Sequence, residues 1–145
     1  MKVVIQRVCH ATCRVDGEVT GSIEKGLLVY VGFAPTDTEA TVAWTVDRVR
    51  KMRIFTDENG KMNLAVHEVG GGVLWVPNFT LYADASSRRP SFSGAMAPSQ
   101  AKALFEKLLE MDKVHQNPVQ SGIFGADMQI DAVADGPVNV VVEHE

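Results

Sequence analysis

The chain has 145 residues, of which 46% are hydrophobic and 22% charged, far from the make-up of disordered or collagen-like chains. That length is expected to form one domain over residues 1–145, burying roughly 70% of its unfolded surface. Fourteen Lys and Arg against eighteen Asp and Glu leave a formal net charge of −4. This argues against coating nucleic acid through a broad basic surface, so any nucleic-acid partner has to be gripped locally.

Met1 to Val8 has neither the apolar core of a signal peptide nor a transit-peptide pattern. No apolar run approaches the ~20 residues of a membrane span. A cytoplasmic protein with no membrane partner is expected. Residues 2–15 alternate as a half-buried strand, with Val3, Ile5, Cys9, Ala11, Cys13 and Val15 assigned to the apolar face, and Asp16-Gly17 turns it. Cys9 and Cys13 then stand ~13 Å apart, beyond disulfide reach. With His10, His67, His115 and His144 scattered, no tetrahedral metal set is expected. Arg7 falls on the apolar face, where an unpaired guanidinium is costly. Two readings stand: it snorkels out at a strand edge, or it donates to backbone carbonyls and holds another segment in place.

Gly26 to Phe33 is a glycine-bounded apolar run, consistent with a central strand buried on both faces. Pro35 to Thr38 supplies N-cap candidates, and Val42, Val46 and Val49 mark an amphipathic helix to about Met52. Its basic end, Arg48, Arg50, Lys51 and Arg53, either offsets the helix dipole or offers a patch to phosphate. Arg53 to Phe55 and Met62 to Leu64 flank Asn59-Gly60 as a hairpin. Gly70-Gly71-Gly72 lacks the context of a phosphate loop and reads as the approach to a strand, Gly72 to Val76. Asp84 to Pro98 is a long polar loop containing Arg88-Arg89-Pro90, a candidate lid or RNA-tail contact. Pro98-Ser99 opens a second helix with Leu104, Phe105, Leu108 and Leu109 in one stripe. Met128 to Val133 and Val138 to Val142 read as two strands joined at Ala134 to Pro137. The sum is about six strands and two helices, an α+β domain rather than a βαβ one.

No Gly-x-Ser-x-Gly elbow, His-Glu-x-x-His or Cys-His partnership is present. Thr80 is the best hydroxyl, with no evident base. Pro77 fits a strand end, so the amides of Asn78, Phe79 and Thr80 are expected to leave the ladder there and form a possible oxyanion hole. Gly136-Pro137, directly before a β run, needs a turn or a cis bond, and the sequence leaves both open.

Along nearly its whole length the chain resembles the D-aminoacyl-tRNA deacylases. The resemblance is carried by Val4-Ile5-Gln6-Arg7-Val8, Asp16-Gly17-Glu18, Gly26-Leu27-Leu28-Val29, Asn78 to Asp84, Arg88 to Phe92, Gly122-x-Phe124-Gly125-Ala126-Asp127-Met128 and Asp135-Gly136-Pro137-Val138. It implies a compact, β-rich fold, barrel-like or two-sheeted, with two main helices, working as a homodimer without a cofactor. The implied activity is hydrolysis of the ester joining a D-amino acid, or glycine mischarged on tRNA(Ala), to the 3′ end of tRNA. In that reading Asn78, Phe79 and Thr80 form the catalytic stretch through their backbone. Gly136 and Pro137, cis in the family, enter the partner's pocket and reject L side chains, and Arg7 holds their loop. Phe124, Gly125 and Met128 pocket the terminal adenosine, whose 2′-hydroxyl assists the attacking water. Pro77-Asn78 departs from the usual Ser-Gln, and Asn139 from a common Thr. A related animal group also has Pro at the first of these positions and acts on L-alanyl-tRNA, but Arg7 and Phe79 favour the D-specific type. A non-catalytic module that binds the tRNA end is the remaining alternative.

Overall fold

The computed structural model describes residues 1–115 and 117–145. Its frame is β1 (Lys2–Val15), bonded on one side to β3 (Gly26–Gly32) through its first half and to β2 (Glu18–Ile23) through its second. The Asp16-Gly17 turn joins β1 to β2 with both residues at positive φ, 51° and 80°, the backbone twist that suits a tight hairpin. β3 continues in parallel register to β6 (Gly72–Pro77), and β6 in parallel to β7 (Val119–Ser121). The sheet curls until β7 reaches β2, where the Ser22 amide donates to Gln120 Oε1 at 3.2 Å, so the sheet is nearly a barrel. β8 (Gln129–Glu143) lies along the other side of β1.

Two helices cover one face. α1 (Glu39–Lys51) starts at the Thr38 N-cap in a reciprocal capping box with Thr41, which satisfies two otherwise orphaned groups. α2 (Pro98–Asp112) starts with a proline, which sacrifices no hydrogen bond at that position. Between them, β4 (Phe55–Thr56) and β5 (Met62–Leu64) form the small hairpin expected from Asn59-Gly60. The parallel pairs β3–β6 and β6–β7 are each bridged by a segment containing a helix, so the α+β domain holds two βαβ-type crossovers where none was expected.

β3 and β6 are buried on both faces, as their unbroken apolar runs suggest. Leu27, Val29, Val31, Val73 and Trp75 pack under the helices with Val42, Val46, Phe105 and Leu108. Leu28, Leu74 and Val76 turn the other way, onto Val8, Ala11, Cys13 and Ile23 inside the curl. Helices and sheet are also joined by a buried polar knot. Asp112, at the end of α2, accepts from Arg50 Nε and from Arg50 Nη2 at 2.8 Å, and from Trp75 Nε1 at 2.6 Å. Arg50 is therefore a buried structural cation, and the basic end of α1 is not a continuous surface patch. Lys51 pairs with Asp47 and Arg53 with Asn63.

Two strand expectations change. Val8 rather than Cys9 is buried, because β1 slips its register against β8 between Val8 and His10. The last third is not a hairpin: Gln129–Glu143 is one strand paired with β1 on both sides of an irregularity, and Gly136-Pro137 lies in that irregularity. With β2 and β7 added and the last two expected strands merged into one, the structure has eight strands among the described residues.

Asp112→Ala should cost about 3–5 kcal/mol of stability in urea unfolding, because it strands a buried guanidinium and an indole N–H together. A loss below about 1 kcal/mol would show that the knot contributes little.

Candidate functional site

β6 ends at Pro77, which has no N–H to continue the ladder. The chain leaves it through Asn78, whose amide still donates to the Val31 carbonyl at 2.7 Å. It then makes one 3-10 turn, Phe79–Tyr82. Leu81 donates to the Asn78 carbonyl and Ala83 to that of Thr80. The amides of Phe79 and Thr80 have no acceptor among the described residues. Of the three amides expected to leave the ladder, Asn78 stays in it and these two project from the start of the turn.

The turn packs closely on β3 because residue 32 is glycine. A Cβ there would stand 3.0 Å from the Asn78 carbonyl oxygen and 3.2 Å from the Leu81 Cβ. Beside the turn opens a cleft of about 380 Å³, lined by Gly32, Phe33, Asn78, Phe79, Phe92, Met96, Phe124 and Gly125 among others. No lining residue carries a titratable side chain, and Asn78 is the one polar side chain. Phe79 and Phe92 meet edge to face at 5.3 Å, and 58% exposure of Phe79 leaves a large aromatic surface at the rim. Thr80 is exposed, and its hydroxyl donates to Asn78 Oδ1. The Thr80 hydroxyl contacts no base among the described residues.

Thus Asn78, Phe79, Phe124 and Gly125 come together in one cleft, with Thr80 at its edge. Phe124 also packs on Phe105, so it serves core and cleft alike. Met128 does not line the cleft, since it lies against the cluster inside the curl. Phe92, Met96 and the start of α2 were not singled out from the sequence, although the loop Asp84 to Pro98 that carries the first two was.

Arg7, Gly136 and Pro137 form a separate constellation. β1 and β8 pair in register up to Gln6 opposite Asn139 and resume at Val8 opposite Ala134, so Arg7 alone faces Asp135, Gly136, Pro137 and Val138. Arg7 fills the mismatch. Its Nε donates to the Asp135 carbonyl at 3.2 Å and its Nη1 to the Ile54 carbonyl at 2.8 Å, and the Asp135 carboxylate stands 3.3 Å from Nε. Of the two readings open for Arg7, donation to backbone carbonyls is the observed one. Gly136 has φ 125°, and an added Cβ would meet Val138 at 2.9 Å and Arg7 Nη2 at 3.2 Å. No other residue fits there without strain. The Gly136-Pro137 peptide is cis. Neither residue, nor Arg7, lines the cleft of its own chain. Among the described residues no group of three His, Cys, Asp or Glu is placed to hold a metal, and no helix is long and apolar enough to cross a membrane.

Comparison with known proteins bears on these features. The family model described as D-Tyr-tRNA(Tyr) deacylase matches residues 4–143. D-aminoacyl-tRNA deacylases of Saccharophagus degradans and Deinococcus radiodurans are 45% and 46% identical, over 98% and 99% of this chain and 99% of each relative. The solved structure titled c-Myc DNA Unwinding Element Binding Protein superposes with a TM-score of 0.95 at 33% identity, covering 100% of this chain and 99% of the other. A structure titled as a probable eukaryotic D-amino acid tRNA deacylase shares the fold, with a TM-score of 0.83 at 18% identity over 97% of each chain. With the family model and full-length relatives in agreement, the chain belongs to the D-Tyr-tRNA(Tyr) deacylase family.

Proposed function

We propose that the protein hydrolyses the ester linking a D-amino acid, or glycine, to the 3′-terminal adenosine of tRNA, acting in the cytoplasm as a homodimer. The observation that carries this reading is the pair of unengaged amides, Phe79 and Thr80, beside an apolar cleft without acid, base or nucleophile. Attack of water on an ester carbonyl builds negative charge on its oxygen. Fixed donors that stabilise such an oxyanion are worth a few kcal/mol each. The cleft's aromatic and small lining suits a nucleobase, held against Phe79, Phe124 and Gly125. Among the described residues lining the cleft none carries a side-chain base for the proton of the attacking water, and the neighbouring 2′-hydroxyl of the ribose is proposed to assist.

Selection of the D form is assigned to Gly136 and Pro137 of the second subunit. Two features support that division. Within one chain these residues stand away from the cleft, and β8, which bears them, is an outer strand with Val133 and Val141 exposed. Their carbonyls are proposed to hold the substrate amino group and leave no space for an L side chain. Arg7, bonded to the Asp135 carbonyl, fixes the position of that wall.

The direct test incubates the protein with D-Tyr-tRNA, L-Tyr-tRNA and L-Ala-tRNA. Release of the D form alone is expected. No release of D-tyrosine at micromolar enzyme would refute the activity, and preferential release of L-alanine would point instead to the relaxed-chirality type. Thr80→Val, which keeps the backbone amide, should retain activity within about tenfold, and complete loss in a folded variant would restore Thr80 as a nucleophile. Arg7→Ala should lower the D/L ratio of kcat/KM at least tenfold, with Arg7→Lys recovering part of it. An unchanged ratio in both variants would remove Arg7 from chiral selection.

A further inference from the structure

An acidic protein that takes hold of an RNA end needs cations not already engaged by its own groups. Among the described residues, six of the fourteen are in ion pairs. Lys25 and Arg48 lie over aromatic rings, and Arg53 is bonded to the Asn63 carbonyl. Lys61, Arg88, Arg89, Lys102 and Lys113 remain. Lys61 belongs to the β4–β5 turn and Lys113 caps the far end of α2. Lys102 follows the lining residue Ala101 but stands about 100° round the helix from it. Only Arg88 and Arg89 lie on the segment that itself builds the cleft, through Phe92 and Ala95 to Ala97.

That segment is shaped for presentation. Asp84 and Ser91 pair backbone to backbone, at 2.8 and 3.0 Å, which closes residues 85–90 into a short loop with both arginines exposed on it. The Asp84 carboxylate accepts from the Ser86 amide at 3.0 Å, a bond that holds its carboxyl below the usual carboxylate range and keeps the base of the loop tied at neutral pH. Arg89 is three residues from Phe92, at most ~11 Å of extended chain, so its guanidinium is within a side-chain's reach of the rim. Guanidinium forks match phosphate oxygens in pairs.

We infer that Arg88 and Arg89 are the phosphate grip for the strand leading to the terminal adenosine, binding its last phosphates while the base and ester enter the cleft. This rests on the deacylase reading for the identity of the RNA and sharpens it by assigning the electrostatic contact to one loop instead of the basic end of α1. It also accounts for a net charge of −4 in an RNA-directed protein: two unengaged arginines at the mouth suffice for a single-stranded end.

The test compares wild type, Arg88→Ala/Arg89→Ala, and the charge-matched control Lys61→Ala/Lys113→Ala. Two readouts are used: the Kd for an uncharged stem-loop RNA with a single-stranded CCA end, and KM and kcat on D-Tyr-tRNA and on D-tyrosyl-adenosine, which has no phosphate. The arginine variant should weaken RNA binding and raise KM on tRNA about tenfold or more, with kcat within about twofold and the loss confined to phosphate-bearing ligands. The slope of log Kd against log salt should fall by about 1.4, for two phosphates on a single strand. The control should match wild type. Equal effects in both double variants would overturn the grip, as would an equal loss on D-tyrosyl-adenosine. A wild-type protein that releases no D-tyrosine yet binds the RNA through the arginines would defeat the deacylase reading and leave the grip standing.

Discussion

The arrangement hangs on one charge in an apolar place. Where β8 presents four residues against a single residue of β1, the ladder has carbonyls without partners, and exposed backbone acceptors in a half-buried position are costly. The Arg7 guanidinium occupies that gap, reaching the Asp135 carbonyl on one side and the Ile54 carbonyl beyond it. An aliphatic residue there would keep the packing and lose the donors; lysine would keep the charge and lose the planar fork. The same guanidinium lies under Gly136, so the shape of the irregular stretch and the identity of the residue beneath it are mutually dependent.

The cleft is stabilised separately. Its floor is β3 and the end of β6, and its wall is the 3-10 turn packed over Gly32 and the start of α2. Asp112 fastens α2 to α1 and β6 through Arg50 and Trp75. A domain that locks its helices with a buried ion pair leaves the loop between the turn and α2 free of that duty, and that loop is where the polar and cationic residues collect. The fold thus keeps its strongest polar contacts away from the cleft, whose lining remains uncharged.

What the sequence disclosed follows from how local each determinant is. The strands with continuous apolar runs, both helices with their N-terminal signals, and the Asn59-Gly60 hairpin are specified by neighbours within a few residues, and they appear where expected. Arg7 stood out because its charge violates a local period. Gly136-Pro137 stands out as a proline directly before a β run, but the strand it faces is distant, Arg7 lying 128 residues from Asp135, so a hairpin and an irregular continuous strand look alike until β1 is alongside. Cys9 reads as an inward residue in the sequence because the register slip that turns it outward is a property of two strands together. Arg50 reads as one of four surface cations until Asp112 is known to lie opposite. Met128 and Phe124, four residues apart in one motif, turn to different clusters, which no spacing rule reveals.

The two donors at the cleft are main-chain N–H groups, carried by every residue type except proline. Side-chain replacement at 79 or 80 can reshape the aromatic rim but does not delete a donor. The side chains of Pro77 and Asn78, just before the turn, likewise leave both N–H groups in place. An alanine scan across this stretch would consequently register little of what the backbone contributes. Amide-to-ester replacement at residue 79 or 80 addresses the group itself, and the vulnerability of such a site lies in the geometry of the turn, with Gly32 beneath it, more than in the identity of any side chain it displays.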